Sequence, residues 1–372
     1  MIINGALMHK SSLLIAAAAV LGVALIPTAG SASSTGISRS ASASPALTGT
    51  RQLRVIQYNL TGAARPGTLP STAPPNNGSL SVLPYLEWEM GRFPSTGGSY
   101  PDAVLLEEVC AQQFADLKAR YTPDPNQTYV VFQEMVKNHS LCPGTAAAPD
   151  DHRLGLVLLS RWPLTNVSDT PLGYTDTSYG VPDKYIYFHL LCADQQISGV
   201  PQPVKACVTH LRGASGVPVD TYKGQVDTIA ATLNPVVQAG QPVLLGGDLN
   251  NKPGYRTLDP LYRLDRVGGW NGNGLFNEGD QTDSTWFSEG TNCMPTACRS
   301  GQRTTAALDS DGVVRDKYKF DYVFLSRYSS VQGGFTDPSA LAMPFVTQTS
   351  ASTPYLSKSD HHLYRVQSTL NY

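Results

Sequence analysis

The run Pro242-Val243-Leu244-Leu245-Gly246-Gly247-Asp248-Leu249-Asn250 joins an apolar stretch to a carboxylate and a carboxamide two residues apart. An apolar stretch of that length reads as a buried strand, so Asp248 and Asn250 arrive together at its C-terminal edge, where α/β proteins commonly concentrate their chemistry. Taken alone, the tetrapeptide from Gly247 to Asn250 is equally well read as a turn capped by its own aspartate. The balance shifts because Ser359-Asp360-His361 and several other polar residues close apolar runs in the same way.

Outward from that strand, Leu53 to Leu60 reads as a first strand with Asn59 near its end. Ala103 to Leu106 reads as a strand covered on both faces that stops at Glu107-Glu108. Further strands are predicted at Thr128 to Met135, Leu154 to Ser160, Tyr185 to Leu191, Val204 to His210, Phe320 to Leu325 and His362 to Leu370, with a hairpin across Gly199-Val200-Pro201. Leu83, Leu86 and Met90 mark a short helix and Ala111 to Tyr121 another. The clearest helix spans Asp220 to Gln238, where Tyr222, Val226, Ile229, Ala230 and Leu233 recur at helical steps and Pro235 kinks or shortens the end. Gly62 to Gly78 is a long loop, and Gly268 to Gly279 with the cysteine loop after it makes another. This order suggests two mainly antiparallel sheets packed face to face with helices outside.

The chain has 372 residues, 41% of them hydrophobic, enough for a large core. Near its start Lys10 precedes the uncharged stretch Leu13 to Ile26, then Pro27 and small residues to Ser34, the layout of a secretory signal. The apolar run falls short of the ~20 residues a spanning helix needs, so cleavage near Ala32 is expected rather than anchoring, and no later segment is apolar enough to cross a bilayer. Residues 1–32 are thus read as a signal, 33–50 as a disordered Ser/Ala-rich lead-in and 51–372 as one folded domain of an extracellular monomer. Six cysteines suit an oxidising compartment and allow fifteen pairings. Cys293 and Cys298 enclose a short loop, and Cys192 and Cys207 lie on neighbouring strands, which leaves Cys110 for Cys142 by elimination. A net charge of −2 advertises no broad basic surface and argues against a stoichiometric DNA-binding protein, though not against an enzyme that releases its product.

The polar residues at the strand ends have complementary chemistry. Hydrolysis of a phosphodiester needs an activated water, neutralisation of phosphoryl charge and help for the departing alkoxide. Asn59, Glu108 and Asp360 offer hard oxygen ligands of the kind Mg²⁺ takes, Asp248 suits orienting or deprotonating water, and Asn250 suits phosphate binding or positioning of Asp248. His361 and His210 are candidates for proton transfer or phosphate stabilisation, with Asp321 fixing the tautomer of His361. Each has a bland reading: Asn59 as a turn cap, His210 as a satisfied core histidine, Glu108 as a helix N-terminal charge, Asp321 as a partner of Lys319. Their joint occurrence at apolar strand ends favours the chemical one.

In order, Gln57-Tyr58-Asn59-Leu60, Pro101 to Glu108, Gly155 to Arg161, Val208-Thr209-His210-Leu211, Gly247 to Asn250, Phe320 to Phe324 and Ser359-Asp360-His361-His362 resemble the successive motifs of the endonuclease/exonuclease/phosphatase superfamily, of which pancreatic DNase is a member. The resemblance covers about residues 51 to 372 and implies an α/β fold, a four-layer α/β/β/α sandwich, with a divalent cation as cofactor, Mg²⁺ or else Mn²⁺ or Ca²⁺. It implies Glu108 as metal ligand with Asn59 and Asp360 close by, His361 and Asp321 as a catalytic pair, Asp248 and Asn250 as the water- and phosphate-orienting pair and His210 as the second histidine. Two departures stand out. Glu107 replaces a usual Gln, which adds a negative charge beside the metal ligand, and Tyr58 replaces a frequent Trp, a matter of packing.

The superfamily's substrates range from nucleic acid to phosphoinositides, sphingomyelin and small phosphate esters. Arg212, Lys252 and Arg256 follow the catalytic motifs closely and favour a nucleic-acid substrate bound transiently through its phosphates, without stable membrane insertion. A lipid phosphodiesterase would need an apolar element, for which Trp270, Phe276, Trp286 and Phe287 are too scattered. A secreted binding or toxin-like protein with weak catalysis is the third class.

Overall fold

The computed structural model describes residues 49–60, 82–91, 100–137, 139, 142, 151–176, 186–212, 219–263, 274–281, 299–308, 314–327, 333–342, 348–350, 353–355 and 359–372. The chain divides into units 1–44 and 45–372, and every described residue belongs to the second. The expected signal and nearly all of the lead-in therefore lie outside the described residues, as do Cys293, Cys298, Trp270, Trp286 and Phe287. Among the described residues no helix is long and apolar enough to cross a membrane.

The elements run β1 (Thr50–Asn59), α1 (Val82–Gly91), β2 (Ala103–Cys110), α2 (Ala111–Arg120), β3 (Thr128–Val136), β4 (Leu154–Asp176), β5 (Ile186–Gln195), β6 (Val204–His210), α3 (Val219–Gln238) and β7 (Val243–Asp248). There follow β8 (Phe276–Glu278), β9 (Ala306–Leu308), β10 (Val314–Asp316), β11 (Asp321–Ser326), β12 (Gly334–Ala342), β13 (Gln348–Ser350), β14 (Thr353–Tyr355) and β15 (Tyr364–Asn371). The fold is α/β, built on a large mixed sheet of order β12-β15-β1-β2-β4-β5-β6-β7-β11-β8, with β3 also on β4. β1–β2 and β6–β7 are parallel, and the other pairs along this path are antiparallel.

The two sheets expected from the sequence are one hydrogen-bonded path because β4 does not stop at Ser160. Its first part pairs with β2 and β3, and from Leu164 onward it pairs with β5. Between the two parts Ser160 Oγ donates to Trp162 O at 2.6 Å and accepts from Trp162 N at 2.9 Å, so a local side-chain turn carries the strand past Pro163 without ending it.

Alternation on these strands explains their uninterrupted apolar look. Val55, Leu105 and Leu158 join a core cluster with Val208, Leu245 and Phe324 of the other half of the sheet, while their neighbours Ile56, Val104, Leu106, Val157 and Leu159 join a second cluster with Leu83 and Leu86 of α1 and Leu117 of α2. Successive residues thus face two different dry layers, and a polar residue on either face would lose roughly 1.5–3 kcal/mol of burial. Tyr222, Val226, Ile229 and Leu233 bring α3 into the first cluster, and Pro235 sits within the helix without ending it. Gly246 marks the contact between halves: a Cβ there would lie 2.3 Å from Leu105 Cδ1.

Several elements differ from expectation. β2 continues through Glu107 and Glu108 to Cys110 by way of a bulge between Leu106 and Val109, with Glu108 at φ 53°. β12, broken by a register shift beside Pro338, is an edge strand on β15, the place where a strand tolerates proline. Phe276 is fully buried on β8, a core residue and no membrane anchor. Tyr58 is also buried and packs edge-on against Tyr85 at 6.2 Å, in keeping with a packing role.

Two expected disulfides are present, Cys192–Cys207 across β5 and β6, and Cys110–Cys142. Cys192–Cys207 closes a loop of sequence separation 15, so replacing both by Ala should lower unfolding free energy by about 3 kcal/mol in urea titrations. An unchanged midpoint would show that the unfolded chain gains nothing from this cross-link.

Candidate active site

Strand register assembles the site. Parallel pairing sets His210 of β6 opposite Asp248 of β7, and antiparallel pairing sets Asp248 opposite Asp321 of β11, so three functional side chains stand in one row across three strands. On β1 and β2, Asn59 is paired with Glu107, and the bulge turns Glu108 outward from its neighbour. Gly247 allows the close approach beneath this row: a Cβ there would lie 1.9 Å from the Thr209 carbonyl oxygen.

Asp248 is the hub. Its Oδ2 accepts from Asn59 Nδ2 at 3.1 Å and lies 3.5 Å from His210 Nε2 and 3.6 Å from His361 Nε2, while its Oδ1 accepts from Asn250 N at 2.8 Å. That last bond closes an Asx-type turn that holds Asn250 at φ 50°, a left-handed conformation Asn tolerates. The Asn250 carboxamide then donates to the Leu211 carbonyl at 2.9 Å and sits 3.1 Å from His210 Nε2. The turn reading of this tetrapeptide thus holds, and the same turn brings Asp248 and Asn250 beside His210.

His361 Nδ1 lies 2.8 Å from Asp321 Oδ2. Asp321 does not pair with Lys319, whose ammonium is held by Glu278 and Asp280 at 3.2 and 2.8 Å. Asp321 Oδ1 accepts from Gln57 Nε2 at 2.8 Å, and its backbone N donates to Thr304 Oγ1 at 3.0 Å. Ser359 Oγ donates to the Asn59 carbonyl at 2.6 Å and accepts from His361 N at 3.0 Å, which ties the end of β1 to the histidine. Gln57, Thr304 and Ser359 were not singled out by sequence as parts of the site. Gln57 was legible in principle, since it lies two residues before Asn59 and so shares its face of the strand.

The electrostatics separate the two histidines. Burial disfavours the charged ring of His361, but Asp321 and Asp248 outweigh it and raise its pKa well above the ordinary value. Burial and the charge on His361 push His210 down to about 4, so it is neutral at pH 7, and its Nδ1 has no hydrogen-bond partner among the described residues. Its Nε2 meets the Asn250 carboxamide, so one ring nitrogen of His210 is held by the tetrapeptide turn. Burial, with Asp321 and Glu108 nearby, holds Asp248 well above the usual carboxylate range, against the opposing pull of His361.

The Glu107 side chain is fully buried and accepts from Gln57 Nε2 at 2.7 Å; burial first, then Asp321 and Asp248, push its pKa well up, which opposes the negative charge its sequence implies.

Glu108 is the more open acid, with 29% of its side chain accessible; its Oε1 lies 3.4 Å from Asn59 Nδ2 and 4.0 Å from His210 Nε2. Asp360 is partly exposed, and its charge acts on His361, His210 and Tyr58. Among the described residues no three His, Cys, Asp or Glu side chains form a ready metal cage. The donor chemistry nevertheless suits a hard divalent cation, since Glu108, Asn59 and Asp360 offer oxygen ligands of the kind such an ion takes. Arg212 follows His210 closely and its backbone N donates to Gln225 Oε1 at 3.4 Å. Lys252 Nζ sits 4.0 Å above the Tyr318 ring, and Arg256 lies in a short 3₁₀ turn.

Comparison with known proteins identifies the family and the fold. The profile of the Endonuclease/Exonuclease/phosphatase family matches residues 91–361. Similar solved structures include an endonuclease/exonuclease/phosphatase from Beutenbergia cavernae, 19% identical, covering 86% of this chain and 72% of that one at a TM-score of 0.52. A mannosyl-6-phosphatase from Bacteroides thetaiotaomicron is 11% identical over 85% of this chain and 99% of its own, TM-score 0.51. The human Nocturnin catalytic domain is 15% identical over 86% and 94%, TM-score 0.51. At these identities the likeness is one of fold. No curated protein matches the chain.

The two histidines should titrate on opposite sides of the ordinary value of about 6.5. In proton NMR, His210 is expected near 4 and His361 above 6.5, with Asp321→Asn moving His361 downward. Stability follows with opposite signs. The contribution of His361 is present below about pH 6.5 and fades as pH rises through its folded value, whereas that of His210 is present above about 6.5 and is lost as pH falls toward 4. Coincident titration of both rings near 6.5 would contradict the assignment.

Proposed function

The chain belongs to the endonuclease/exonuclease/phosphatase family of phosphoesterases, and from that premise we propose that it is a secreted, divalent-metal-dependent hydrolase of phosphodiester bonds acting on nucleic acid as an extracellular endonuclease. The observation that carries the reading is Asp248, a buried carboxylate set between one neutral and one cationic imidazole. Burial pushes Asp248 up to about 8, so above that pH it is an ionised carboxylate and a stronger base than an ordinary aspartate, and Asn59 and Asn250 fix its orientation.

In this reading Asp248 orients the attacking water and takes its proton as the water oxygen bonds to phosphorus and the P–O bond to the leaving group breaks. His361, charged and held by Asp321, presents its Nε2–H to the phosphoryl oxygens or gives its proton to the departing alkoxide. His210 holds the Asn250 carboxamide, which leaves both next to the phosphate. Glu108, with Asn59 and Asp360, would hold the cation, which supplies Lewis-acid neutralisation of phosphoryl charge when bound. Mg²⁺ is the proposed ion, since it takes few protein ligands and completes its shell with water and phosphate oxygen.

Arg212, Lys252 and Arg256 are the proposed contacts to substrate phosphates, and the expected signal with the two disulfides supports export. The domain is taken as residues 51–372, arranged as a four-layer α/β/β/α sandwich whose two inner layers are the halves of the sheet, and as a monomer.

The test is an assay of the purified protein with Mg²⁺ and with EDTA on plasmid DNA, RNA, sphingomyelin and inositol phosphates. DNA cleavage should require the metal, and Asp248→Ala and His361→Ala should each lower it by about 10²–10⁴-fold with folding retained. Activity that survives both substitutions rejects the site, and turnover of lipid alone overturns the nuclease reading.

A further inference from the structure

Asn250 sits at φ 50°, a left-handed conformation that a residue other than glycine keeps only where its surroundings determine it from several sides. Its own amide, bonded to Asp248 Oδ1, is one restraint. Two more come from outside the turn and act on the peptide groups that bracket it. Before Asn250, Leu249 N donates to the Phe320 carbonyl at 2.8 Å, and the Leu249 carbonyl accepts from the Tyr222 hydroxyl of α3. After it, the Asn251 carbonyl accepts from the Tyr322 hydroxyl of β11 at 2.6 Å, with the Lys319 carbonyl 3.2 Å from the same hydroxyl. The Asn251 side chain donates to Thr257 Oγ1 and accepts from Lys252 N at 3.1 Å, which pins the far end of the turn.

The bond from Tyr222 bears directly on Asp248. The peptide joining Leu249 to Asn250 is planar and trans, so its C=O and N–H point in opposite directions. Drawing the carbonyl toward Tyr222 therefore aims the Asn250 N–H at Asp248 Oδ1. Tyr222 is 3% exposed and Tyr322 is fully buried, and burial pushes both phenols well above their ordinary pKa, so each keeps the hydrogen it donates. A buried tyrosine commonly finds some partner for its hydroxyl, and the helical spacing of Tyr222 on α3 would assign it to packing alone. What sets these two apart is their choice of partner: from a helix and a strand far apart in the chain, they take carbonyls on either side of Asn250.

We propose that Tyr222 and Tyr322 are positioning residues of the hydrolytic site, clamping the turn from Asp248 to Asn251 so that the Asn250 amide holds Asp248 and its carboxamide holds His210 in the geometry the reaction uses. This rests on the reading of Asp248 as the group that orients and deprotonates water, and adds to it two residues that act through the backbone of the turn.

Phe at either position keeps the ring in the core and removes only the hydroxyl. In hydrogen exchange followed by mass spectrometry, without metal, residues 248–252 should exchange at least about tenfold faster in Tyr222→Phe and in Tyr322→Phe than in wild type, with residues 243–246 unchanged within about twofold. With Mg²⁺ and a DNA oligonucleotide, each variant should lose about tenfold in kcat and hold KM within about twofold, because the groups displaced assist the transition state. Asn250→Ala takes away both the carboxamide and the residue type that tolerates φ 50°, so it already forfeits what the clamp secures. Adding Tyr222→Phe to it should cost less than about a further twofold in kcat.

Exchange at 248–252 that stays at the wild-type rate overturns the clamp, as does exchange that rises equally at 243–246, the mark of a general loss of packing. A full tenfold loss on top of Asn250→Ala, or a rise in KM with kcat unchanged, also overturns it. Should Tyr322→Phe fail to fold, Tyr222→Phe alone carries the same measurements. Local exchange that responds while the wild type cleaves no phosphodiester removes the nuclease reading and leaves the two phenols as what fixes the turn.

Discussion

The charged ring of His361, lodged between Asp321 and Asp248, is the contact on which the site depends. Glu107, Glu108, Asp248 and Asp321 gather where β1, β2, β7 and β11 end or begin, and three of the four are buried. Several carboxylates cannot all ionise in so little water. The fold resolves this by spreading protons unevenly: His361 keeps its proton, Gln57 bridges Glu107 and Asp321, and Glu107 is driven toward the neutral acid. Of the four acids only Glu108 is accessible at the opening.

Backbone register makes that arrangement reproducible. The row His210, Asp248, Asp321 follows from pairing partners on β6, β7 and β11, so its side chains share a face without any choice of rotamer. The bulge in β2 puts two consecutive acids to different uses, Glu107 inward against Gln57 and Glu108 toward Asn59. An unbroken strand from Leu106 would offer only one of them to the site.

Much of this was legible in the sequence. The apolar runs of β1, β6 and β7 and the helical period of α3 stand close to where they were read, and the polar residues that close those runs are brought together in space. Other parts were hidden for physical reasons. β8, β9 and β10 are three residues each, too short for any period to show, and the apolar run that marks the start of β4 gives out at Ser160 although the strand continues past Pro163. β12 carries Pro338 and a register shift, so no regular alternation marks it. Gln57 and Thr304 act through single hydrogen bonds to Asp321, and such bonds leave no periodic trace. The ionisation of Glu107 is invisible to sequence because it comes from neighbours far away along the chain.

The first strand finds its antiparallel partner in the last, with Thr50 opposite Asn371 and Gln57 opposite Tyr364. Asn59 and His361, held to one another through Ser359, therefore meet only when segments 300 residues apart have come together. Such a distant closure makes for slow folding, because loop entropy is paid before the pairing rewards it. It also means that the imidazolium beside these acids depends on a contact between segments 300 residues apart, so the site forms with the tertiary fold and within no local motif.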